Sequence, residues 1–385
     1  MPVQKINIGE FLSLAKQYPV LDVRSPGEYA HAHIPEAHSL PLFTDEERKQ
    51  VGTAYKQQSR EAAIKIGLDY FGVKMKAMVE QAESIAADFN KRNIDINTQV
   101  PPSGGGGGCV LIHCWRGGMR SAAVAWLLDM YGFKVYLLVG GYKAYRKWVL
   151  SQFEKDYNFN IIGGYTGSGK TLLLYELETQ QKITVDLEGL ANHKGSAFGS
   201  IEGVKQPGQE MFENLLAEKL QAASHEMHKE SDSDSPILSA VEGRGLGGCI
   251  YLEDESQRIG NVQIPMPLWR NMRKSPVFFM DIPFEERLVY ITEEYGKLKK
   301  ETIKEAILRI QKRLGGLEAK NALNFLEVNN MMECFRILLS YYDKWYHKGL
   351  YNRENITTLL NKIPGSGVDT KTNTHKILTC SIVSA

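Results

Sequence analysis

A cysteine and two arginines share one short segment of the chain, residues 110–121, which read VLIHCWRGGMRS. The apolar residues 110–113 predict a strand that ends at Cys114, and a helix is expected to begin near Arg120. Successive backbone N–H groups in such a loop, together with the helix N-terminus, favour bound anions. Arg116 and Arg120 add formal positive charge. Because all of these features stabilise a thiolate, we predict that Cys114 is a nucleophile with a lowered pKa.

A second segment, residues 164–171, has the composition of a phosphate-binding loop. It reads GYTGSGKT and fits the pattern GxxxxGK[ST] in full. A predicted strand over 159–162 precedes it and a predicted helix over 172–179 follows it, which is the context that the motif requires. Its backbone amides would cradle a di- or triphosphate, with the lysine on the outer phosphate and the threonine on any Mg²⁺. The predicted phosphate-binding residues are Gly164, Gly167, Ser168, Gly169, Lys170 and Thr171.

Two further predicted strands end in side chains that could complete this phosphate site. The strand over 248–252 runs into three acidic residues, one of which would be the carboxylate that holds a metal ion beside the loop. The metal ligands predicted here are Thr171, Glu253 and Asp254. The strand over 182–187 ends in competing carboxylates and a loop rich in hydrogen-bond donors. The substrate or diphosphate contacts predicted in these segments are Asp186, Glu188, His193, Lys194 and Arg258.

The segments around both sites alternate between strand-like and helix-like patterns, which predicts an α/β fold in two domains. Residues 1–150 form the first domain, and residues 151–363 form the second, whose C-terminal part is helical and charged. Residues 364–385 show little periodicity, so a flexible tail is expected there. Residues 97–108 include five consecutive glycines and predict a flexible surface loop.

Composition narrows the class of protein. The 385 residues are 43% hydrophobic and 24% charged, which excludes a wholly disordered chain. Five cysteines without a repeated CxxC spacing argue against a disulfide framework or a zinc ribbon. No apolar stretch of about 18 residues is present, so we expect a cytoplasmic protein without a membrane partner.

The net charge of +1 gives no sign of a polyanionic partner, yet basic residues are concentrated locally. Residues 297–320 contain eight basic and three acidic side chains. A second basic cluster follows Trp269, whose ring could stack on an unpaired base. A solvated helix face is the alternative interpretation of such charge runs. The RNA contacts predicted from these two clusters are Arg270, Arg273, Lys274, Lys300, Arg309, Lys312 and Arg313.

Two families share the local cysteine pattern. The order His-Cys-x5-Arg-Ser is the signature of protein tyrosine phosphatases, whereas a cysteine in a glycine-rich loop also marks rhodanese domains. Residues 21–29 (LDVRSPGEY), 33–41 (HIPEAHSLP) and 135–142 (VYLLVGGY) resemble the rhodanese signatures, and no general-acid aspartate of the phosphatase kind is identified. The five residues between Cys114 and Arg120 exceed the loop of typical sulfurtransferases, so a tetrahedral oxyanion or a selenium-bearing group could fit.

A rhodanese-like domain followed by a phosphate-loop domain resembles the tRNA 2-selenouridine synthase family, over about residues 8–345. Further segments carry the resemblance at residues 45–57, 185–199, 252–260 and 313–316. It implies a rhodanese-like N-terminal domain and a P-loop NTPase-like α/β domain with a helical C-terminal part. It also implies a transferase whose partner is tRNA carrying 2-thiouridine at the wobble position.

The resemblance implies two chemical steps and no tightly bound cofactor, with Mg²⁺ as an optional ion. Geranyl diphosphate would first geranylate the sulfur of 2-thiouridine, and selenophosphate would then replace the S-geranyl group with selenium. The phosphate loop would hold the allylic diphosphate. Cys114 would carry selenium as a perselenide, while Arg116 and Arg120 would neutralise the phosphate of selenophosphate.

Two other functions remain open from the sequence. A rhodanese-type sulfurtransferase or a phosphatase fused to an ATP-dependent kinase-like domain would hydrolyse ATP and would not need RNA. A regulatory module without activity could use the same two folds. Intact Cys114, Lys170 and Thr171 argue against the regulatory module.

Overall fold

The computed structural model describes residues 3–93, 108–194, 204–232, 248–365 and 367–383. The chain divides into two compact units, Met1–Ser151 and Gln152–Ala385, so the division falls one residue after the predicted domain boundary. The loop predicted over 97–108 lies, except for Gly108, outside the described residues.

The first unit is built on a five-stranded sheet in the order β1-β5-β4-β2-β3, in which every neighbouring pair is parallel. Its strands are β1 (Gln4–Ile6), β2 (Val20–Asp22), β3 (His38–Ser39), β4 (Cys109–His113) and β5 (Lys134–Leu138). Because β4 is the central strand, the residue that follows it emerges at the C-terminal edge of the sheet between the ends of β2 and β5. That residue is Cys114, and such an edge is where open parallel sheets bind ligands.

Six helices accompany this sheet among the described residues of the first unit. They are α1 (Ile8–Ala15), α2 (Pro26–His31), α3 (Asp45–Gln57), α4 (Arg60–Asn93), α5 (Met119–Tyr131) and α6 (Gly141–Gln152). The helix α5 begins one residue before the predicted position, Arg120, and buries Val124 and Leu128 against the sheet. The antiparallel pair α3 and α4 adds Phe71 and Met78 to the same core. The sheet and its helices thus give the cysteine loop a rigid base.

The second unit is built on another parallel five-stranded sheet, in the order β12-β11-β6-β8-β7, and carries a short antiparallel hairpin. Its sheet strands are β6 (Phe159–Gly163), β7 (Ile183–Val185), β8 (Ile250–Glu253), β11 (Val277–Asp281) and β12 (Leu360–Pro364). The hairpin strands are β9 (Arg258–Ile259) and β10 (Val262–Gln263). The central strand β6 leads directly into the predicted phosphate loop.

The described ranges of the second unit contain ten helices, and both units are α/β as predicted. They are α7 (Lys170–Thr179), α8 (Leu187–Ala191), α9 (Gln209–Asp232), α10 (Met266–Lys274), α11 (Phe284–Tyr295), α12 (Lys300–Leu314), α13 (Gly316–Glu327), α14 (Met331–Tyr351), α15 (Ile356–Leu359) and α16 (Thr370–Val383). The helices α11 to α14 share a core of their own, which includes Ile307 and Phe335. This is the helical C-terminal part that the sequence indicated.

The flexible tail expected over 364–385 is wrong for the described residues. This segment contains α16, which packs against α7, β11 and β12. Ile377 is fully buried beside Leu174 and Met280, and Thr374 is buried as well. The pattern was missed because the buried face of α16 includes polar residues, so the apolar periodicity that identifies a helix is weak.

We expect Ile377→Ala to lower the free energy of unfolding of the protein by about 2–5 kcal/mol, because it leaves a cavity between α16 and the sheet. Urea denaturation followed by circular dichroism measures this change. Leu308→Ala is the control, since Leu308 is 46% exposed on α12, and a change within about 0.5 kcal/mol is expected there. Equal effects of the two substitutions would show that α16 is not packed as described.

Candidate functional site

The Cys114 thiol lies at the bottom of the loop between β4 and α5. Its Sγ is 3.1 Å from Ser121 Oγ, and the side chain is buried. Burial opposes the thiolate, but hydrogen bonds from the Ser121 hydroxyl and from the N–H groups of Ser121, Arg116 and Gly118 outweigh it and lower the pKa of Cys114. The direction agrees with the sequence-based expectation, and the donors are those of an anion-binding nest.

The cysteine loop packs against the backbone of the double glycine, Gly140 and Gly141, that follows β5. The N–H of Tyr142 donates to the Cys114 carbonyl at 2.8 Å. Gly141 has φ 57°, and a Cβ there would lie 2.3 Å from the same carbonyl oxygen. Gly117 has φ 64°, and its Cβ would lie 2.7 Å from the Leu138 carbonyl. Only glycine permits this close approach of two backbones, so these positions fix the shape of the loop.

A buried ion pair lies beside the same loop. Arg24 is 1% exposed, and its Nε donates to both oxygens of Asp22 at 2.9 Å. The guanidinium also lies 3.9 Å from the centroid of the Tyr142 ring. Burial lowers the pKa of His113, which is neutral and has its Nε2 3.7 Å from an Asp22 oxygen. Removing either charge would leave its partner buried and unpaired, so this pair positions the ends of β2 and β4.

Arg120 already has an acidic partner, which the sequence did not indicate. Its Nη1 donates to Glu28 at 2.8 Å, and Arg48 pairs with the same carboxylate at 2.9 Å. Burial opposes ionisation of Glu28, but the hydrogen bond and charge of Arg120 lower its pKa, so Glu28 offsets part of the positive charge. Arg116 is exposed. A cavity of about 410 Å³ nevertheless opens here, and its lining includes Arg24, Arg48, Arg120, His31 and Trp115.

The predicted phosphate-binding residues lie together on the loop between β6 and α7. Because α7 begins at Lys170, the loop ends at a helix N-terminus, which favours a bound anion. Lys170 Nζ donates to the Gly164 carbonyl at 3.2 Å. Ser168 is 1% exposed, and its hydroxyl has no hydrogen-bond partner among the described residues. The loop therefore offers a cation and a hydroxyl as well as its amides.

Three carboxylates form a cluster next to Thr171, namely Glu188, Glu253 and Glu255. The Thr171 hydroxyl donates to Glu188 at 3.1 Å. Burial raises the pKa of Glu188, and burial together with the charges of Asp186 and Glu188 raises that of Glu253 well above its usual value. Burial and the Glu188 charge raise the pKa of Glu255 to about 8. Glu255 therefore retains its proton at neutral pH, which reduces the negative charge of the cluster.

Asp254 was predicted as a metal ligand, and the structure places it elsewhere. Its two oxygens accept hydrogen bonds from Arg353 and from the Tyr346 hydroxyl, the latter at 2.6 Å. The same hydroxyl accepts a hydrogen bond from the Gly164 N–H at 3.1 Å. Asp254 thus fastens α14 to the first glycine of the loop. Among the described residues, no group of three or more His, Cys, Asp or Glu side chains is arranged to hold a metal ion.

Arg287 on α11 is a second support of the phosphate loop. It is 2% exposed, donates to the Thr166 carbonyl at 2.9 Å and forms an ion pair with Asp343 at 2.6 Å. Neither Arg287 nor Tyr346 was found from the sequence, because one arginine or tyrosine within a charged helical region carries no distinguishing spacing. Ser121 belongs to the cysteine motif, but the sequence did not indicate its hydrogen bond to Cys114.

The remaining predicted contacts of the phosphate site make mostly local interactions. Asp186 caps the N-terminus of α8, and Arg258 donates to a carbonyl in the β9–β10 turn at 2.8 Å. His193 is buried, and burial with the nearby charge of Arg309 lowers its pKa. Lys194 is exposed, with its ammonium 5.9 Å from a tyrosine ring centroid. Glu188 contacts the loop directly, through Thr171.

The predicted tRNA contacts on α12 lie mainly on an exposed face. The helix buries Ile303, Ala306, Ile307 and Leu314. Its basic residues Arg309, Lys312 and Arg313 are exposed to solvent. Lys300 is half-buried and lies 3.4 Å from the Glu327 carbonyl. The arrangement fits a basic surface that faces solvent.

The second basic cluster lies on α10, and only part of it is exposed to solvent. Arg270 and Lys274 are exposed on α10, but Arg273 is half-buried and donates twice to the Gly349 carbonyl, each at 3.1 Å. Its guanidinium lies 5.3 Å from the centroid of the Trp269 ring. Because Arg273 lies over this half-buried ring, Trp269 is not the open stacking platform that the sequence suggested.

The lowered pKa of Cys114 predicts selective alkylation. With iodoacetamide at increasing pH, we expect the reaction of Cys114 to reach half its maximal rate at a lower pH than that of Cys109, whose pKa is raised by burial. Ser121→Ala should move the midpoint of Cys114 upward, because one hydrogen bond to the thiolate is lost. Mass spectrometry of digested protein follows each cysteine separately. A Cys114 midpoint at or above that of Cys109 would contradict the described nest.

No helix in the described part of the chain is long and apolar enough to cross a membrane. Comparison with known proteins identifies two domains. Residues 8–147 match the rhodanese-like domain family, and residues 157–362 match the tRNA 2-selenouridine synthase AAA domain family.

Curated relatives extend over both domains. A tRNA 2-selenouridine synthase of Marinobacter nauticus is 32% identical over 370 residues, which cover 87% of this chain and 89% of that protein. Proteins of the same name from Sulfurovum sp. and Bdellovibrio bacteriovorus are each 31% identical and cover 87% and 93% of this chain, and 88% and 96% of their own lengths. The resemblance predicted from the sequence is confirmed: the chain belongs to the tRNA 2-selenouridine synthase family.

Proposed function

We propose that this chain converts 2-thiouridine at the tRNA wobble position into 2-selenouridine through an S-geranyl intermediate. The observation that carries the proposal is the presence of two separate anion sites, a cysteine loop whose thiol has a lowered pKa and a GxxxxGK[ST] phosphate loop. The relatives named tRNA 2-selenouridine synthase support the same reaction.

In the first step, the phosphate loop would bind geranyl diphosphate. The sulfur of 2-thiouridine attacks the first carbon of the geranyl chain, the carbon–oxygen bond breaks, and pyrophosphate leaves with the electron pair. The N3 proton of the nucleoside passes to water or to the departing pyrophosphate. The loop amides and Lys170 stabilise the charge that develops on this leaving group. The hydroxyl of Thr171 and the carboxylate of Glu253 are hard oxygen donors of the kind Mg²⁺ prefers, and a bound ion would neutralise further charge. Asp254 has no part in this proposal, because it is paired with Arg353.

In the second step, selenium replaces the S-geranyl group. A perselenide on Cys114 would require a two-electron oxidant, because cysteine sulfur and the selenium of selenophosphate both enter fully reduced. We therefore favour a redox-neutral route. The Cys114 thiolate adds to C2 and geranylthiolate leaves with the electrons of the carbon–sulfur bond. Selenium of selenophosphate then displaces Cys114, and water cleaves the selenium–phosphorus bond to give 2-selenouridine and phosphate.

The cationic cavity above the cysteine loop suits selenophosphate. Its lining contains three arginines, Arg24, Arg48 and Arg120, against two carboxylates, Glu28 and Asp45. An incoming trianion would compete with Glu28 for Arg48 and Arg120. The exposed basic residues of α12 would contact the tRNA backbone, since phosphate contacts supply most of the affinity for a nucleic acid.

The decisive experiment is mass analysis of the wobble nucleoside after thiolated tRNA is incubated with geranyl diphosphate and then with selenophosphate. We expect S-geranyl-2-thiouridine and then 2-selenouridine. Lys170→Ala should slow geranylation about 100-fold or more, because it removes a charge that stabilises the leaving group. Cys114→Ala should keep geranylation and lose selenation of geranylated tRNA.

Lys182→Ala and Cys109→Ala serve as controls and should retain both steps. No mass change with the unaltered protein would overturn the proposal. Loss of geranylation in Cys114→Ala as complete as its loss of selenation would refute the separation of the two sites. ATP hydrolysis without a need for tRNA would favour the kinase-like alternative.

The basic surface of α12 predicts binding of tRNA that weakens steeply with salt. Lys312→Ala combined with Arg313→Ala should weaken binding and reduce the slope of log affinity against log salt by about 2, since each lost phosphate contact removes about one counterion. Fluorescence anisotropy with labelled tRNA measures both quantities. Lys182→Ala combined with Lys371→Ala is the control pair, both residues being exposed outside α12. An unchanged slope in the α12 variant would place the RNA elsewhere.

A further inference from the structure

The first unit contains an apolar cleft of about 630 Å³ between α3, α4 and the start of α5. This volume lies within the range of about 300–1,000 Å³ that is typical of small-ligand sites. Large apolar side chains line it and remain exposed to solvent, with Leu68 58%, Tyr55 55% and Met119 50% exposed. An open set of side chains of this kind is characteristic of a binding surface.

The cleft adjoins the cysteine loop. Met119 and Arg120, the first two residues of α5, line it and follow Cys114 closely in the chain. Arg48 and Arg120 line both this cleft and the cationic cavity above the loop. The anion site and the apolar cleft are therefore neighbouring compartments of one surface in the first unit.

The charged side chains that line the cleft are basic. Four basic side chains contribute to its lining, and the described residues that line it include no acidic one. The basic side chains are Arg48, Lys49, Lys56 and Arg120. An apolar floor with a basic rim suits a ligand in which an apolar chain is attached to a polyanion. Neither free selenophosphate, which lacks a chain, nor an unmodified tRNA would use the apolar floor.

The selenium step of the proposed function brings such a ligand to this place. The atom attacked is C2 of the nucleoside, and the geranyl chain is attached to the sulfur on that same carbon. When C2 reaches Cys114, the chain must lie within a few bond lengths of the loop. An uncovered chain of this size would leave apolar surface in water, which is unfavourable.

We propose that the apolar cleft binds the geranyl chain of S-geranyl-2-thiouridine in tRNA while selenium replaces it. This inference rests on the proposed function. The bond between C2 and sulfur breaks, geranylthiolate leaves with the electron pair and takes a proton from water, and the cleft releases geranylthiol. The helix α3 belongs to neither chemical motif. It forms one wall of the cleft through Val51, Gly52 and Tyr55.

Gly52→Leu tests the proposal by filling the cleft. No atom lies within 4 Å of a Cβ at Gly52, and leucine favours the helix more than glycine, so the fold should persist. Gly72→Leu is the matched control, because Gly72 is an exposed helical glycine with equally open surroundings and lies outside the cleft. Thermal unfolding of both variants checks that they remain folded.

The substrates are anticodon stem–loop RNAs that carry either S-geranyl or S-ethyl 2-thiouridine. With selenophosphate, Gly52→Leu should raise KM for the S-geranyl RNA at least tenfold and change KM for the S-ethyl RNA less than twofold. Gly72→Leu should change neither. Leu68→Asp, with Val73→Asp as its exposed control, provides a second pair, since a charge in the cleft should repel the chain.

Equilibrium binding of the same RNAs separates this inference from the proposed function. If the unaltered protein prefers the S-geranyl RNA and Gly52→Leu abolishes the preference, the cleft binds the chain, whether or not selenation follows. Equal binding of the two RNAs by the unaltered protein, or an unchanged preference in Gly52→Leu, would overturn the inference. Failure of the unaltered protein to form 2-selenouridine would instead refute the proposed function.

Discussion

A loop that binds an anion with its N–H groups must have its carbonyl oxygens satisfied by the surrounding structure, and both loops of this protein meet that requirement. Buried backbone groups are almost always paired. In the first unit, the carbonyls of Cys114 and Trp115 accept from the N–H groups of Tyr142 and Lys143 at the start of α6. In the second unit, the Thr166 carbonyl accepts from Arg287 on α11. These contacts from neighbouring helices keep the carbonyls of both loops occupied.

The two loops both favour anions, but their electrostatic surroundings differ. The cysteine loop stabilises negative charge, because backbone dipoles and a hydroxyl converge on one thiol. Beside the phosphate loop, buried carboxylates repel one another and hold protons, so Glu255 has a pKa of about 8. A positive charge such as that of Lys170 stabilises the ionised form of Glu255. The cysteine loop instead stabilises a negative charge on the thiol. The contrast suits two chemical steps that use different phosphorus compounds.

The sequence predicted the loops well and their supports poorly. A strand, a short loop and a helix are consecutive in the chain, so Cys114 and Lys170 could be placed from local pattern alone. Pairing of Arg120 with Glu28, or of Asp254 with Arg353, joins residues about a hundred positions apart and leaves no local signal. Helix α16 was missed for a related reason, since its buried face becomes meaningful only when α7 and β11 are present to cover it.

The order of strands in the second unit has a consequence for folding. The strand β11 pairs on one side with β6 and on the other with β12, which comes about eighty residues later in the chain. Until β12 has been synthesised and has crossed back, one edge of β11 presents unpaired N–H and C=O groups, and such an edge can pair with another chain. Intermediates with an open edge are prone to aggregate. The helices α11 to α15, which lie between the two strands in sequence, set how long that exposure lasts.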